Sequence, residues 1–263
     1  MQLIYQLQGV IMLMVINMDK VAIEIGPFAI RWYAILINTG IVLALVFIWR
    51  EAKRQKLNPD TIYDILFVAL PAGIVGARLY YVAFNLDYYL AHPSEIYKTW
   101  HGGLAIHGAL IFGGLAAYFY CKHKKINFAR WADIAAPGIA LAQGIGRWGN
   151  FVNQEAYGYI TDVPWAFYID GAYRHPTFLY ESIWNIALAV ILVYILRKRK
   201  SFDGQVFATY FLGYSLGRIW IEGLRTDSLM LGPIRVAQLI SLAGIVLSAL
   251  YIWYRKKNKK TLQ

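Results

Sequence analysis

Cysteine is almost missing from this chain, and acids are scarce. A single cysteine, Cys121, among 263 residues excludes an internal disulfide framework. It reads as a small buried residue at a helix end, and no Cys/His spacing of the zinc type occurs anywhere. Charge is thin as well. Only 16% of the residues are charged while 59% are hydrophobic, against about 25% and about 45–50% in a soluble globular domain. No soluble core of this length hides so much apolar surface, so the composition indicates a polytopic membrane protein. Internal repeats, low-complexity tracts and a soluble domain are absent too.

What charge there is leans one way, with 26 basic residues against 15 acidic ones and a net charge of +11. Most of the basic residues sit in four short clusters. These are Arg50 to Lys56, Lys122 to Arg130, Arg197 to Lys200 and Arg255 to Lys260. Nucleic-acid binding would need such clusters to converge on one face. Here they punctuate apolar runs instead, which is what cytoplasmic loops do under the positive-inside bias.

Crossing a bilayer as a helix takes about 20 mainly apolar residues. The chain offers seven such stretches, at about 30–49, 62–84, 104–121, 132–150, 177–196, 205–223 and 236–254. The basic clusters follow the first, third, fifth and seventh. An all-α bundle of about seven spans, with the N-terminus outside and the C-terminus cytoplasmic, puts every cluster on one side. The expected division is an N-terminal extension and interfacial segment over 1–29, one membrane domain over 30–254 and a basic tail over 255–263. Residues up to Met18 are apolar but carry glutamines and asparagines without a basic start, so a signal peptide is not expected. They form either an interfacial helix or a stretch ahead of a true start at Met18.

On this topology the unusual polar residues gather in the outer half of the membrane. Tyr33 begins the first span, Arg78 lies late in the second, and His107 lies one turn into the third. Arg147 and Asn150 end the fourth, followed by Asn153, Glu155 and Gly158; His175, Tyr180 and Glu181 open the fifth. An ionisable residue at membrane depth costs about 2.5–3.5 kcal/mol or more, so several at one depth imply function. Tyr214, Arg218, Glu222 and Arg225 are spaced to share one helical face. Glu222 can pair with both arginines there, which leaves one positive charge on the stripe. An arginine in excess suits bidentate capture of an anion better than helix–helix adhesion.

Two motif matches carry nothing. Gly144-Ile-Gly-Arg-Trp-Gly follows an apolar helix where a dinucleotide fingerprint needs a strand. Gly213-Tyr-Ser-Leu-Gly lies mid-helix without the strand–turn–helix elbow of a serine nucleophile. His107, among glycines that allow close helix approach, suits either a packing role or a general base.

The block Gly146-Arg-Trp-Gly-Asn-Phe-Val-Asn-Gln-Glu155 resembles the signature of bacterial prolipoprotein diacylglyceryl transferases. Arg31-Trp-Tyr-Ala34, Gly76-Ala-Arg-Leu-Tyr-Tyr81, Gly102-Gly-Leu-Ala-Ile-His-Gly108, His175-Pro-Thr-Phe-Leu-Tyr-Glu181 and the segment from Gly213 to Asp227 match that family in order. Ala34 and Ala109 stand where glycine is common, and the residues before Met18 look like an extension.

The resemblance implies an enzyme of the bacterial plasma membrane with its site toward the outer leaflet. It would transfer the diacylglyceryl group of phosphatidylglycerol to the lipobox cysteine of prolipoprotein signal peptides. A thioether forms, glycerol phosphate leaves, and no cofactor or metal is implied. Arg147 would belong to the phosphatidylglycerol site and Arg218 would be a second essential arginine, with His107 and Tyr33 important for activity. Asn150, Asn153, Glu155, Gly158, Tyr214, Glu222, Arg225 and Arg78 would form the substrate-binding set. A base such as His107, or a neighbouring cation that lowers the thiol pKa, would activate the nucleophile. Two other classes remain at this point. An anion transporter would also use outer-half arginines, though the repeats and broken helices of alternating access are not apparent. A membrane scaffold leaves the arginines unexplained.

Overall fold

The computed structural model describes residues 19–261; the expectations for the residues up to Met18 lie outside that range. A short hairpin, β1 (Val21–Ile25) and β2 (Phe28–Arg31), leads into helix α1 (Trp32–Arg54). Then come α2 (Thr61–Ala83), the short α3 (Leu86–Ala91), α4 (Ile106–His123) and α5 (Phe128–Asn153). A second hairpin, β3 (Phe167–Ile169) with β4 (Ala172–Arg174), precedes α6 (Thr177–Tyr194) and α7 (Gln205–Leu224). A third, β5 (Met230–Leu231) with β6 (Ile234–Arg235), precedes α8 (Val236–Thr261).

A helix thus stands at each of the seven apolar stretches, and the three hairpins add small pieces of β-structure at helix entrances. Among the described residues, four helices are long and apolar enough to cross a membrane: Trp32–Arg54, Thr61–Ala83, Thr177–Arg199 and Val236–Asn258. Large apolar side chains such as Phe67, Leu110, Val190 and Leu247 are exposed on α2, α4, α6 and α8. Water-soluble proteins rarely expose so many, whereas lipid solvates them. The protein is a multi-pass helical membrane protein. Basic residues end several helices beside aromatic rings. Lys53 lies 3.7 Å from the centre of the Trp49 ring, and Arg255 lies 5.3 Å from that of Phe202.

The described residues pack as two compact units, one of residues 49–131 and one of residues 19–48 together with 132–261. In the first unit α2 and α4 run antiparallel through a seam of small residues. A β-carbon added to Gly76 would come 2.7 Å from the Gly108 carbonyl oxygen, and one on Gly113 would come 3.1 Å from that of Ala69. Small residues let backbones approach where lipid supplies no hydrophobic drive for helix pairing.

In the second unit α5, α6 and α7 share a core of Ala136, Ala140, Leu188, Leu192, Val206 and Tyr210. α1 crosses α5 antiparallel, with Gly40 against Ala142 and Gly138 against Ala44. Two further devices fix the unit at opposite ends of α5. At its start, the fully buried Asp133 accepts the backbone N–H groups of Gly204 and Phe207 at 2.8 and 2.9 Å and meets Lys200 at 3.0 Å. It thereby satisfies donors at the first turn of α7 that have no intrahelical acceptor. At the far end, Phe151, Phe167 and Phe178 form an aromatic cluster, with Phe151 and Phe178 stacked at 4.7 Å. That cluster seats the β3–β4 hairpin on α5 and α6.

Candidate active site

The end of α5 is where the second unit gathers its polar side chains. Arg147 projects from its last turns and donates to Asn150 Oδ1 at 3.4 Å. Asn150 Nδ2 donates in turn to Glu155 Oε1 at 2.9 Å, and Asn153 Nδ2 reaches the same oxygen at 3.2 Å. The chain reverses just beyond, with Gln154 and Ala156 both at positive φ, and this turn brings Glu155 back over the helix end.

Gly158 follows the turn and pairs in antiparallel fashion with Arg225. Its N–H donates to the His175 carbonyl at 3.0 Å, and Tyr159 N–H donates to the Leu224 carbonyl at 3.0 Å. A β-carbon on Gly158 would lie 2.7 Å from His175 Cβ and 2.9 Å from the Leu224 oxygen. Only glycine allows three chain segments to meet here.

Glu181, in the first turns of α6, is the centre of the site. Its side chain is 4% exposed and faces three arginines. Arg147 Nη2 lies 2.7 Å from Oε2, while Arg218 Nη1 and Arg225 Nη1 lie 3.1 and 3.4 Å from Oε1. The α7 stripe is as its spacing predicts, with Arg218 2.5 Å from Glu222 and Arg225 4.0 Å from it. Arg225 also makes a bidentate pair with Asp227 at 2.9 and 2.7 Å. Burial works against the ionised form of Asp227, but the hydrogen bonds and charge of Arg225 outweigh it and hold the carboxyl below its ordinary range.

The positive charge left over on the isolated stripe is therefore neutralised in the fold. Arg147, Arg218 and Arg225 meet Glu181, Glu222 and Asp227, three of each sign. The three arginine side chains are nonetheless 22, 18 and 11% exposed, so each keeps part of its surface open.

Two tyrosines complete this region. The Tyr33 ring packs on Gly149, where a β-carbon would approach it to 2.6 Å. Tyr214 shares a small cleft with Glu181, Asn185 and Arg218. Arg235, the last residue of β6, reaches back to the Glu222 and Arg225 carbonyls and to the Tyr159 hydroxyl at 2.8 Å, closing the end of α7. Glu181 stood among the polar residues expected in the outer half but was assigned no role in the site, and Arg235 was not singled out. The signals for Glu181 were an acid near the start of an apolar helix and its place at the end of the His175–Glu181 motif. Arg235 had none.

Arg78 and His107 belong to the other unit. Arg78 is buried and spends its donors on backbone. Nε donates to Ile96 at 2.8 Å, Nη1 to Gly102 and Gly103 at 2.7 and 2.9 Å, and Nη2 to Glu95 and Lys98 at 2.6 and 3.4 Å. A guanidinium has five N–H groups, and here five carbonyls receive them. The substrate contact expected of Arg78 thus finds its donors already engaged, in pinning the loop between α2 and α4. His107 is the second residue of α4, exposed, with its ring 6.0 Å from that of Tyr80. The two rejected motifs lie inside α5 and α7, away from any strand–turn–helix element.

Residues 20–254 match the family model of prolipoprotein diacylglyceryl transferase. The phosphatidylglycerol–prolipoprotein diacylglyceryl transferase of Clostridioides difficile is 48% identical over 246 residues, covering 93% of this chain and 99% of its own length. The protein of the same name from Streptococcus uberis is 47% identical over 250 residues, covering 92 and 96%. That from Bacillus cytotoxicus is 48% identical over 254 residues, covering 92 and 94%. On matches of this identity and extent, the chain belongs to the prolipoprotein diacylglyceryl transferase family.

Proposed function

We propose that the protein transfers the diacylglyceryl group of phosphatidylglycerol to the lipobox cysteine of prolipoproteins, the first step of bacterial lipoprotein maturation. The observation that carries this reading is the convergence of Arg147, Arg218 and Arg225 on one buried carboxylate at the end of an apolar bundle. In the reaction a sulfur–carbon bond forms, the glyceryl carbon–oxygen bond breaks, and glycerol phosphate leaves with the bonding pair. The thiol proton passes to a base or to the departing phosphate.

Negative charge grows on the phosphate as that bond breaks. Fixed guanidinium donors in a site shielded from water stabilise such charge without reorganising. Arg147 and Arg218 hold the phosphate in this scheme. Asn150, Asn153 and Glu155 orient Arg147, Glu222 and Arg225 orient the α7 stripe, and Gly158 lets the strands close behind them. Tyr33 and Tyr214 wall the site. Arg78 acts through the loop it pins. His107 serves as the base, an assignment that rests on the sequence resemblance; a His107→Gln enzyme with an unchanged rate at every pH would remove it.

The proposed setting is the bacterial plasma membrane, crossed seven times, with the N-terminus outside, the C-terminus cytoplasmic and the site toward the outer leaflet. The placement of four basic clusters after alternate helices supports that sidedness. The test uses purified protein, phosphatidylglycerol and a synthetic lipobox peptide with one cysteine. Mass spectrometry should find the added diacylglyceryl mass with wild-type protein and not with Arg147→Ala or Arg218→Ala. An unmodified peptide from intact, lipid-loaded wild-type protein would overturn the proposal.

A further inference from the structure

Glu181 poses a physical question that the transfer chemistry leaves open. A site built to bind an anion has an anion of its own at its centre, within 3.4 Å of all three arginines. The chemical likeness to the substrate is close. An ionised carboxylate presents two oxygens that share one negative charge. The phosphodiester of phosphatidylglycerol presents two non-bridging oxygens that also share one. The product differs, because a phosphate monoester has three terminal oxygens and carries about −1.5 to −2 at neutral pH.

We infer that Glu181 is a resident counter-anion, a built-in stand-in for the lipid phosphate that sets how tightly the site holds substrate and product. The inference rests on the proposed role of the arginines in binding that phosphate. Its first effect is to hold the site together. Three guanidinium groups from α5, α7 and the segment after α7 repel one another, and Glu181 lets them share a focus before lipid arrives. Its second effect is on turnover. With Glu181 in place the three arginines are matched by Glu181, Glu222 and Asp227, so the site carries no net excess charge for the phosphate to fall into. A monoanionic lipid binds through the outer, part-exposed donors, and the additional charge on glycerol phosphate is opposed by a carboxylate a few ångströms away. Glu181 thus gives up some substrate affinity and in return releases the product.

Glu181 is a positioning residue in this scheme and touches no reacting atom. The variant that separates it from a merely structural acid is Glu181→Gln, which keeps the shape and removes the charge. A charge this near a phosphate changes its binding on the order of tenfold or more. The variant should therefore show a lower KM for phosphatidylglycerol, at least tenfold stronger inhibition by glycerol phosphate, and a lower kcat. Its single-turnover rate should be less affected than its steady-state rate. Glu181→Asp, with the charge retained, should stay near wild type in glycerol phosphate inhibition.

Should Glu181→Gln melt at much lower temperature, the same inference predicts that added glycerol phosphate raises its Tm more than it raises that of wild type, because the anion replaces the missing carboxylate. Equal inhibition of both proteins by glycerol phosphate, or a destabilised variant that glycerol phosphate does not rescue, overturns the inference. The two levels of failure are distinct. Loss of transfer activity in wild type would remove the proposed function, whereas an active wild type with an indifferent Glu181→Gln would remove only the role of Glu181.

Discussion

Two regions of this protein bury arginine in opposite ways. In the unit of residues 49–131, Arg78 donates all five N–H groups to backbone carbonyls of one loop. In the other unit, Arg147, Arg218 and Arg225 meet carboxylates and keep part of their surface open. Residue type and expected depth are alike, and what differs is the acceptors and the exposure that follows from them. Neutral carbonyls fixed in a chain cannot be exchanged for a ligand without unmaking the loop. A carboxylate that stays in place can share its arginines with an incoming anion, since a guanidinium can face two partners at once without any backbone bond being unmade. Buried arginine at membrane depth therefore signals function only once its acceptors are known.

The comparison can be broken most decisively at the arginines themselves. Arg147→Ala or Arg218→Ala should lower transfer by two to three orders of magnitude, the scale of losing one oriented donor to a developing anion. The peptide mass assay measures this directly. Residual activity near wild type would place the phosphate elsewhere.

Arg78→Met should act differently. It leaves several carbonyls without donors and should cost roughly 3 kcal/mol or more of stability, seen as a fall in Tm. Whatever activity survives should show unchanged inhibition by glycerol phosphate, because no phosphate contact has been lost. A changed inhibition constant with an unchanged Tm would make Arg78 a ligand contact after all.

Gly158→Ala sharpens the contrast from the backbone side. The added carbon would meet His175 and the Leu224 carbonyl below 3 Å, so the strand pairing that carries Arg225 must shift. The expected cost is about 1–3 kcal/mol, together with a loss of activity greater than the fall in Tm alone explains. Full activity would show that the pairing of Gly158 with Arg225 can shift freely.

The smallest effect belongs to Asp227, half exposed and paired with Arg225. Its carboxyl is held below the ordinary range, so the pair stabilises the fold above the ordinary aspartate pKa. That contribution is lost as pH falls through the lowered folded value. Wild type should exceed Asp227→Asn by at most about 1 kcal/mol near neutrality, and the gap should close toward acid in melting curves taken across pH.

Much of the architecture was legible in the chain. Apolar runs of about 20 residues have few alternatives to a helix, because lipid leaves no partner for free backbone groups. All seven expected stretches carry helices, with ends within about five residues of those expected except at the last, which runs on from 254 to Thr261. The hairpins were not legible, being only two to five residues per strand, too short for an alternation to stand out. The Arg218–Glu222 pair was readable because residues four apart share a helical face. The partners of Arg78 were not, since its acceptors are backbone oxygens and leave no trace in residue type.

By itself, then, the sequence determined the apolar helices, the clustering of basic residues after alternate ones, the stripe on α7 and the family motifs. All of these depend on composition or on neighbours within one turn of helix. The tertiary structure alone decided which charge answers which. Glu181 lies 37 residues from Arg218 and 44 from Arg225, and helical periodicity relates no residues so far apart. Their meeting depends on how α5, α6 and α7 pack through Ala136, Ala140, Leu188 and Val206. It depends also on a glycine at 158 small enough to let three chain segments close around them.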